Sequence, residues 1–268
     1  MSVPPSLSPV ELAGIGALSG VVEVAIQQPT VSWKNSIQQG RPISFNPMIC
    51  YRGVFINAAS IAPITCTQFG ASRAFENLIV DEGQPVSDAV KVASSTCAGV
   101  VSAGICTPSE LIMIQQQKHG GSLLSTARNL LSTHGFSIFS RGAMPCIARE
   151  AVWAPCYLSV VPIFNEKLSN FEIFKGSPYA SWATGATLAG LIGATCTQPL
   201  DVIKTRMQAN LEPGTFNSFI RTAKVVAQDG ALFAGLIPRG LRIVGATFIL
   251  SSTKDVLVNK ALQMKATV

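Results

Sequence analysis

The residues able to do chemistry in this chain are few, and they sit inside apolar surroundings. Arg149 and Glu150 are adjacent in the middle of an apolar segment. A guanidinium grips a carboxylate as a fork, and a carboxylate beside it accepts an ammonium or a sulfonium, so the pair reads as a site for a zwitterion. Counting seven residues on from Gly53, Gly142 and Gly235 reaches Ser60, Arg149 and Arg242, each two turns into an apolar stretch. Arg242 adds a second anion-binding position, and Asn57, one turn before Ser60, offers amide hydrogen bonds. Glu23 is a lone acid in another apolar stretch, suited either to a cavity or to a helix partner. His119 and His134 read as solvated. There is no nucleophile motif, no phosphate-cradling glycine loop and no Cys/His ligand spacing, so neither enzymatic activity, a cofactor nor a metal is expected.

These residues need elements that hold them, and the composition says which. Of 268 residues, 48% are hydrophobic and only 13% are charged, against roughly 25% charged in an ordinary soluble domain. The mean hydropathy is +0.38. The chain has net charge +6 with scattered basic residues, and no Lys/Arg cluster interleaved with aromatics supports a nucleic-acid partner. The seven cysteines read as small thiols in helices rather than a disulfide framework. Residues 53–72, 92–109 and 176–200 carry no charge, and shorter apolar stretches cover 12–22, 151–165 and 243–253. Six spans of about 20 residues would make a polytopic membrane protein, with the more polar helices facing a water-filled cavity. Met1 to Val10 reads as neither a signal peptide nor an Arg-rich transit peptide.

The spans repeat. Gly20, Gly99 and Gly190 each precede a proline by nine residues (Pro29, Pro108, Pro199), and Gln38, Gln117 and Gln208 each follow it by nine. Downstream, Tyr51-Arg52-Gly53, Ser140-Arg141-Gly142 and Phe233-Ala234-Gly235 each open a second apolar segment. The unit is helix, loop, helix, three times over, with expected boundaries at 1–84, 85–175 and 176–268. Each proline kinks its helix, and three kinks at one depth would draw three helix ends together. The loops inside the repeats are basic and the segments between them are richer in acid, which puts the loops on the negative side of the membrane.

Pro199, Asp201 and Lys204, followed by Asp229-Gly230 and Phe233-Ala234-Gly235, resemble the Pro-x-acid-x-x-base, acid-Gly and aromatic-base-Gly signature of the mitochondrial carrier family. The resemblance runs over essentially the whole chain. It implies an all-α membrane protein with six transmembrane helices in a pseudo-threefold barrel, short surface helices on the matrix side, and a place in the mitochondrial inner membrane. It implies a monomeric solute carrier working by alternating access, with phospholipid, such as cardiolipin, at helix N-termini near Gly142 and Gly235.

The resemblance also assigns roles by position. Lys34 pairs with Asp201 and Glu110 with Lys204 in a matrix gate, while Val31 and Met113 stand where a third pair belongs. Gln38, Gln117 and Gln208 brace the gate. On the other side the Arg73-to-Glu76 charges are reversed, Val161 to Asn165 has none, and only the acid Asp255 remains, so that gate is weak. Pro29 to Gly53 spans 24 residues against 34 for Pro108 to Gly142 and 36 for Pro199 to Gly235, so the first surface helix is expected to be truncated. An Arg-acid pair at positions 149 and 150 goes with amino-acid-like substrates in this family: a basic amino acid or a sulfonium metabolite here, with a carboxylate or nucleotide as the alternative. A carrier-derived structural subunit without transport is the reading from another class.

Overall fold

The computed structural model of the protein describes residues 9–81, 84–174 and 178–267. In chain order the helices are α1 (Pro9–Gln38), α2 (Pro47–Cys50), α3 (Val54–Ile79), α4 (Asp88–His119) and α5 (Leu123–His134). They continue with α6 (Ala143–Pro155), α7 (Val161–Ser169), α8 (Pro178–Ala209), α9 (Phe219–Gln228) and α10 (Leu236–Thr267). One π-helical turn, Cys156–Val160, joins α6 to α7 into a single rod. Pro29, Pro108 and Pro199 lie inside continuous helices. The Ser87 and Ser122 hydroxyls cap the N-termini of α4 and α5 by accepting from the N–H groups of Val90 and Ser125, which satisfies donors that a helix start leaves open. Glu82, Lys175 and the side chain of Asp255 lie outside the described residues.

Neighbour relations close the six rods into a ring. α1 packs on α3 and α10, α3 on α4, α4 on α6, α6 and α7 on α8, and α8 on α10. The short helices α2, α5 and α9 attach to α1, α4 and α8 respectively. The helix α2 has four residues against twelve in α5 and ten in α9, which follows from the short loop of the first unit.

The ring is inverted relative to a soluble protein. Gln28, Gln38, Gln198 and Gln208, together with Asp201, are fully buried, while Phe55, Ile26, Leu188, Ile192 and Phe248 are exposed on its outside. Apolar surface on this scale would be costly in water and is neutral in lipid. Among the described residues, Pro47–Ile79, Asp88–His119 and Phe136–Ser169 are long and apolar enough to cross a membrane by composition alone. The charge-free stretch 176–200 is not among them, because Ser, Thr, Gln and Gly interrupt it.

Glycines set the packing at two levels. A side chain on Gly99 would collide with the Glu150 carbonyl and lie 2.9 Å from Ala154 Cβ, and one on Gly190 would lie 2.6 Å from Ile243. These glycines let α4 approach α6 and α8 approach α10. Gly53, Gly142 and Gly235 all have φ between 76° and 80° and start the second helix of each unit. They press against Met113, Gln208 and Lys34 of the neighbouring unit. At the same end, basic side chains cap helix C-termini. Arg206 donates to the Gln38 carbonyl (3.0 Å), Lys118 to Ala209 (2.6 Å), and Arg141 to Met207 and Asn210 (3.0 and 2.8 Å). A cation there meets the negative end of the helix dipole.

Candidate functional site: an ion-paired cavity

A cavity of about 440 Å³ lies inside the ring, between the inner faces of the rods. Its floor is a charge network. Lys34 Nζ donates to Asp201 Oδ2 at 2.7 Å, tying α1 to α8. Lys204 donates to Glu110, tying α8 to α4. Asp201 is fully buried and serves as the hub. Besides Lys34 it has Lys204 at 3.4 Å, Arg149 at 3.6 Å and Arg239 at 3.9 Å, and it accepts from Gln38 Nε2 at 2.8 Å. Arg149 Nη2 reaches Glu150 at 2.5 Å and Glu110 at 3.1 Å. Charges this deep persist because each has a partner; an unpaired one would bear its whole desolvation penalty.

The third contact between units has a different chemistry. Val31 and Met113 are both buried and both line the cavity floor. Beside them Asn35 Nδ2 donates to Gln117 Oε1 at 2.6 Å, so an amide hydrogen bond joins α1 to α4 where the other two seams carry ion pairs.

The walls hold further polar groups. Arg242 Nε lies 3.4 Å from Glu23, which also accepts from Gln27 at 2.9 Å. Glu23 is thus both a cavity residue and a helix partner. Gln68 Nε2 donates to Glu150 Oε2 at 3.1 Å and to Ser102 at 3.0 Å, and the Tyr157 hydroxyl donates to Gln68. Asn57 Nδ2 donates to Gln28 Oε1 at 2.8 Å, and Ser60 donates to the Asn57 carbonyl at 2.9 Å.

The family profile for mitochondrial carrier proteins matches residues 84–172 and 175–265, two consecutive units covering most of the chain. The chain belongs to the mitochondrial carrier family. A probable mitochondrial 2-oxodicarboxylate carrier of Dictyostelium discoideum is 25% identical over 85% of this chain and 83% of that protein. The mitochondrial succinate-fumarate transporter 1 of Arabidopsis thaliana is 25% identical over 94% and 92%. A human mitochondrial adenyl nucleotide antiporter is 24% identical over 74% of this chain but only 44% of its own length. The protein is a multi-pass transporter of the mitochondrial inner membrane, and its all-α ring is the carrier fold.

Within this carrier, one assignment made by position needs correction. The Gln208 amide is not hydrogen-bonded to the Glu110–Lys204 pair; it donates to the carbonyls of Thr107 and Arg141, both at 3.1 Å, and its Oε1 has no hydrogen-bond partner among the described residues. Arg242, read from sequence as a second anion-binding position, has Glu23 as its partner at 3.4 Å.

Sequence reading missed Arg239, Gln68, Tyr157 and Asn35. Arg239 is held by Thr197 Oγ1 at 2.8 Å and Gln198 Oε1 at 3.1 Å, and it lies over the Trp153 ring at 5.2 Å. One signal was available: Arg239 stands four residues after Gly235, as Asn57 stands four after Gly53. Gln68 and Tyr157 carry no charge and no motif, so only their meeting across the ring reveals them. The cysteines divide as well. Cys50, Cys106 and Cys146 are buried, whereas Cys66, Cys97 and Cys196 are exposed.

Proposed function

We propose that this carrier moves a small zwitterion, an amino acid or a sulfonium metabolite, by alternating access, and that the floor network is its closed matrix-side gate. The observation behind this reading is that the cavity's wall charges come as acid–base couples. Arg149 and Glu150 form one on α6, and Arg242 with Glu23 forms the other between α10 and α1, which stands opposite α6 in the order of the ring. A zwitterion exchanges its carboxylate for one acid and its ammonium for one base, so no buried charge is left alone. A dicarboxylate would claim both wall arginines and leave Glu150 and Glu23 with amide donors but no cation beside them.

Arg149 links binding to gating. It contacts Glu150 in the wall and Glu110 in the gate. A substrate carboxylate that claims its guanidinium withdraws a bond from the gate, and that differential interaction is what can shift the balance between the two states. The basic loops beside α2, α5 and α9 support assigning that end to the matrix.

A second reading, transport of a carboxylate, is favoured by the names of the two relatives aligned over nearly their whole lengths. The partly exposed Arg242, with its longer contact to Glu23, would be the anion anchor. Uptake into liposomes loaded with matching solutes decides. The zwitterion reading expects amino-acid exchange that is abolished in an Arg149→Ala, Glu150→Ala double variant. Exchange of dicarboxylates alone establishes the second reading. No exchange of any solute, with stable co-purification in a larger complex, establishes a structural role.

A further inference from the structure

Four side chains that can each ligate a metal converge on one point, and a guanidinium nitrogen occupies it. Arg149 Nη2 lies 2.5 Å from Glu150 Oε1, 3.1 Å from Glu110 Oε2, 3.2 Å from Cys106 Sγ and 3.9 Å from Cys146 Sγ. The two sulfurs and the Glu110 carboxylate lie within 4.8 Å of one another. Forty residues separate the two cysteines in sequence, so no spacing motif announces them; the close packing of α4 on α6 around Gly99 creates the cluster. We propose that Cys106, Cys146, Glu110 and Glu150 form a binding site for one thiophilic divalent cation of the zinc class, entered from the cavity and occupied in this state by the Arg149 guanidinium.

The ligand set selects the metal. Two thiolates with two carboxylates in a four-coordinate cage suit Zn²⁺ and its surrogates Co²⁺ and Cd²⁺, whereas Mg²⁺ and Ca²⁺ require oxygen ligands throughout. A tetrahedral zinc with bonds of ~2.0–2.3 Å spaces its ligand atoms ~3.3–3.8 Å apart, so the cage closes with side-chain shifts of about 1 Å. The charge balance also closes. One divalent cation enters and two thiol protons leave through the cavity, so the net charge of the network, counted with the displaced Arg149, is unchanged. Cys106, Glu110 and Glu150 all line the cavity, which gives the cation and the protons a water path.

Arg149 has somewhere to go. Asp201 Oδ1 is buried without a hydrogen-bond partner among the described residues, and Arg149 Nη1 already stands 3.6 Å from it. Metal binding also draws Glu110 away from Lys204, leaving Lys204 to Asp201 at 3.4 Å. The cation therefore loosens the α4–α8 tie.

The test is Co²⁺ titration of the purified full-length carrier in detergent under reducing conditions. One equivalent should produce a near-ultraviolet thiolate-to-cobalt charge-transfer band with tetrahedral visible bands, and Zn²⁺ should displace it. Cys106→Ser and Cys146→Ser should each weaken Co²⁺ binding at least ~10-fold and diminish the charge-transfer band. A Cys66→Ser, Cys97→Ser, Cys196→Ser triple variant should titrate like the wild type. Arg149→Ala, which empties the cage of its resident cation, should tighten binding severalfold. The proposal is overturned if the band survives in Cys106→Ser, Cys146→Ser, or if neither wild type nor Arg149→Ala develops it in excess Co²⁺. Where the serine variants do not fold, maleimide mapping of the wild type decides: Zn²⁺ must protect Cys106 and leave Cys66 reactive.

Discussion

Removing Asp201 should cost more than removing Lys34, although the two form one ion pair. Asp201 is fully buried and has four cations within 4 Å: Lys34, Lys204, Arg149 and Arg239. Lys34 has Asp201 as its only ion pair among the described residues. In Lys34→Ala the aspartate keeps three cations and the Gln38 amide, so the loss is about one charge-assisted hydrogen bond, ~1.5–3 kcal/mol. In Asp201→Ala, Lys34 is stranded, and Lys204, Arg149 and Arg239 lose their shared counter-charge. Stripping one partner from a buried pair costs ~3–5 kcal/mol, which is ~10²- to 10⁴-fold in an equilibrium constant. Lys34 retains 14% of its side-chain surface, so partial hydration holds the figure towards the lower end. The double variant relieves the stranded lysine and should be more stable than Asp201→Ala alone, with a coupling of ~0.5–3 kcal/mol. Thermal unfolding of the three variants in one detergent, followed by fluorescence of newly exposed thiols, gives the order. Asp201→Ala should melt lowest, the double variant above it and Lys34→Ala highest. If Lys34→Ala melts at or below Asp201→Ala, the hub assignment is wrong.

Two further predictions concern the packing of the ring and its unequal seams. Gly99→Ala drives a methyl group into the Glu150 carbonyl and Ala154, an overpacking cost of ~1–3 kcal/mol, while Gly104→Ala, with nothing within 4 Å, should leave the melting temperature unchanged or raised; equal effects at the two sites would contradict the close approach of α4 and α6. At the seam without an ion pair, Val31→Asp and Met113→Lys should each destabilise the carrier, and combining them should restore most of the loss. Purely additive melting shifts would show that these positions do not face one another across the gate.

The helical elements could be read along the chain. Glycine, proline and glutamine recurring at nine-residue offsets mark three equivalent helices, and low charge with interspersed Ser, Thr and Gln marks helices that are apolar outside and polar within. Such features are legible because helix geometry converts linear spacing directly into a face. The pairing of Lys34 with Asp201 was legible for a related reason, since symmetric repeats turn equal positions into neighbours. Spacing could not say which atom of a side chain finds which partner. Gln208 and Gln38 hold equivalent places in sequence, and the turns at Gly142 and Gly235 press on them alike, yet Gln208 donates to backbone carbonyls and Gln38 to Asp201. Arg149 looked in sequence like an open substrate ligand. Only the tertiary structure placed it among Glu110, Glu150, Cys106 and Cys146, because those contacts arise between α4 and α6, where residues some forty positions apart in the chain meet at the distance that a glycine at position 99 allows.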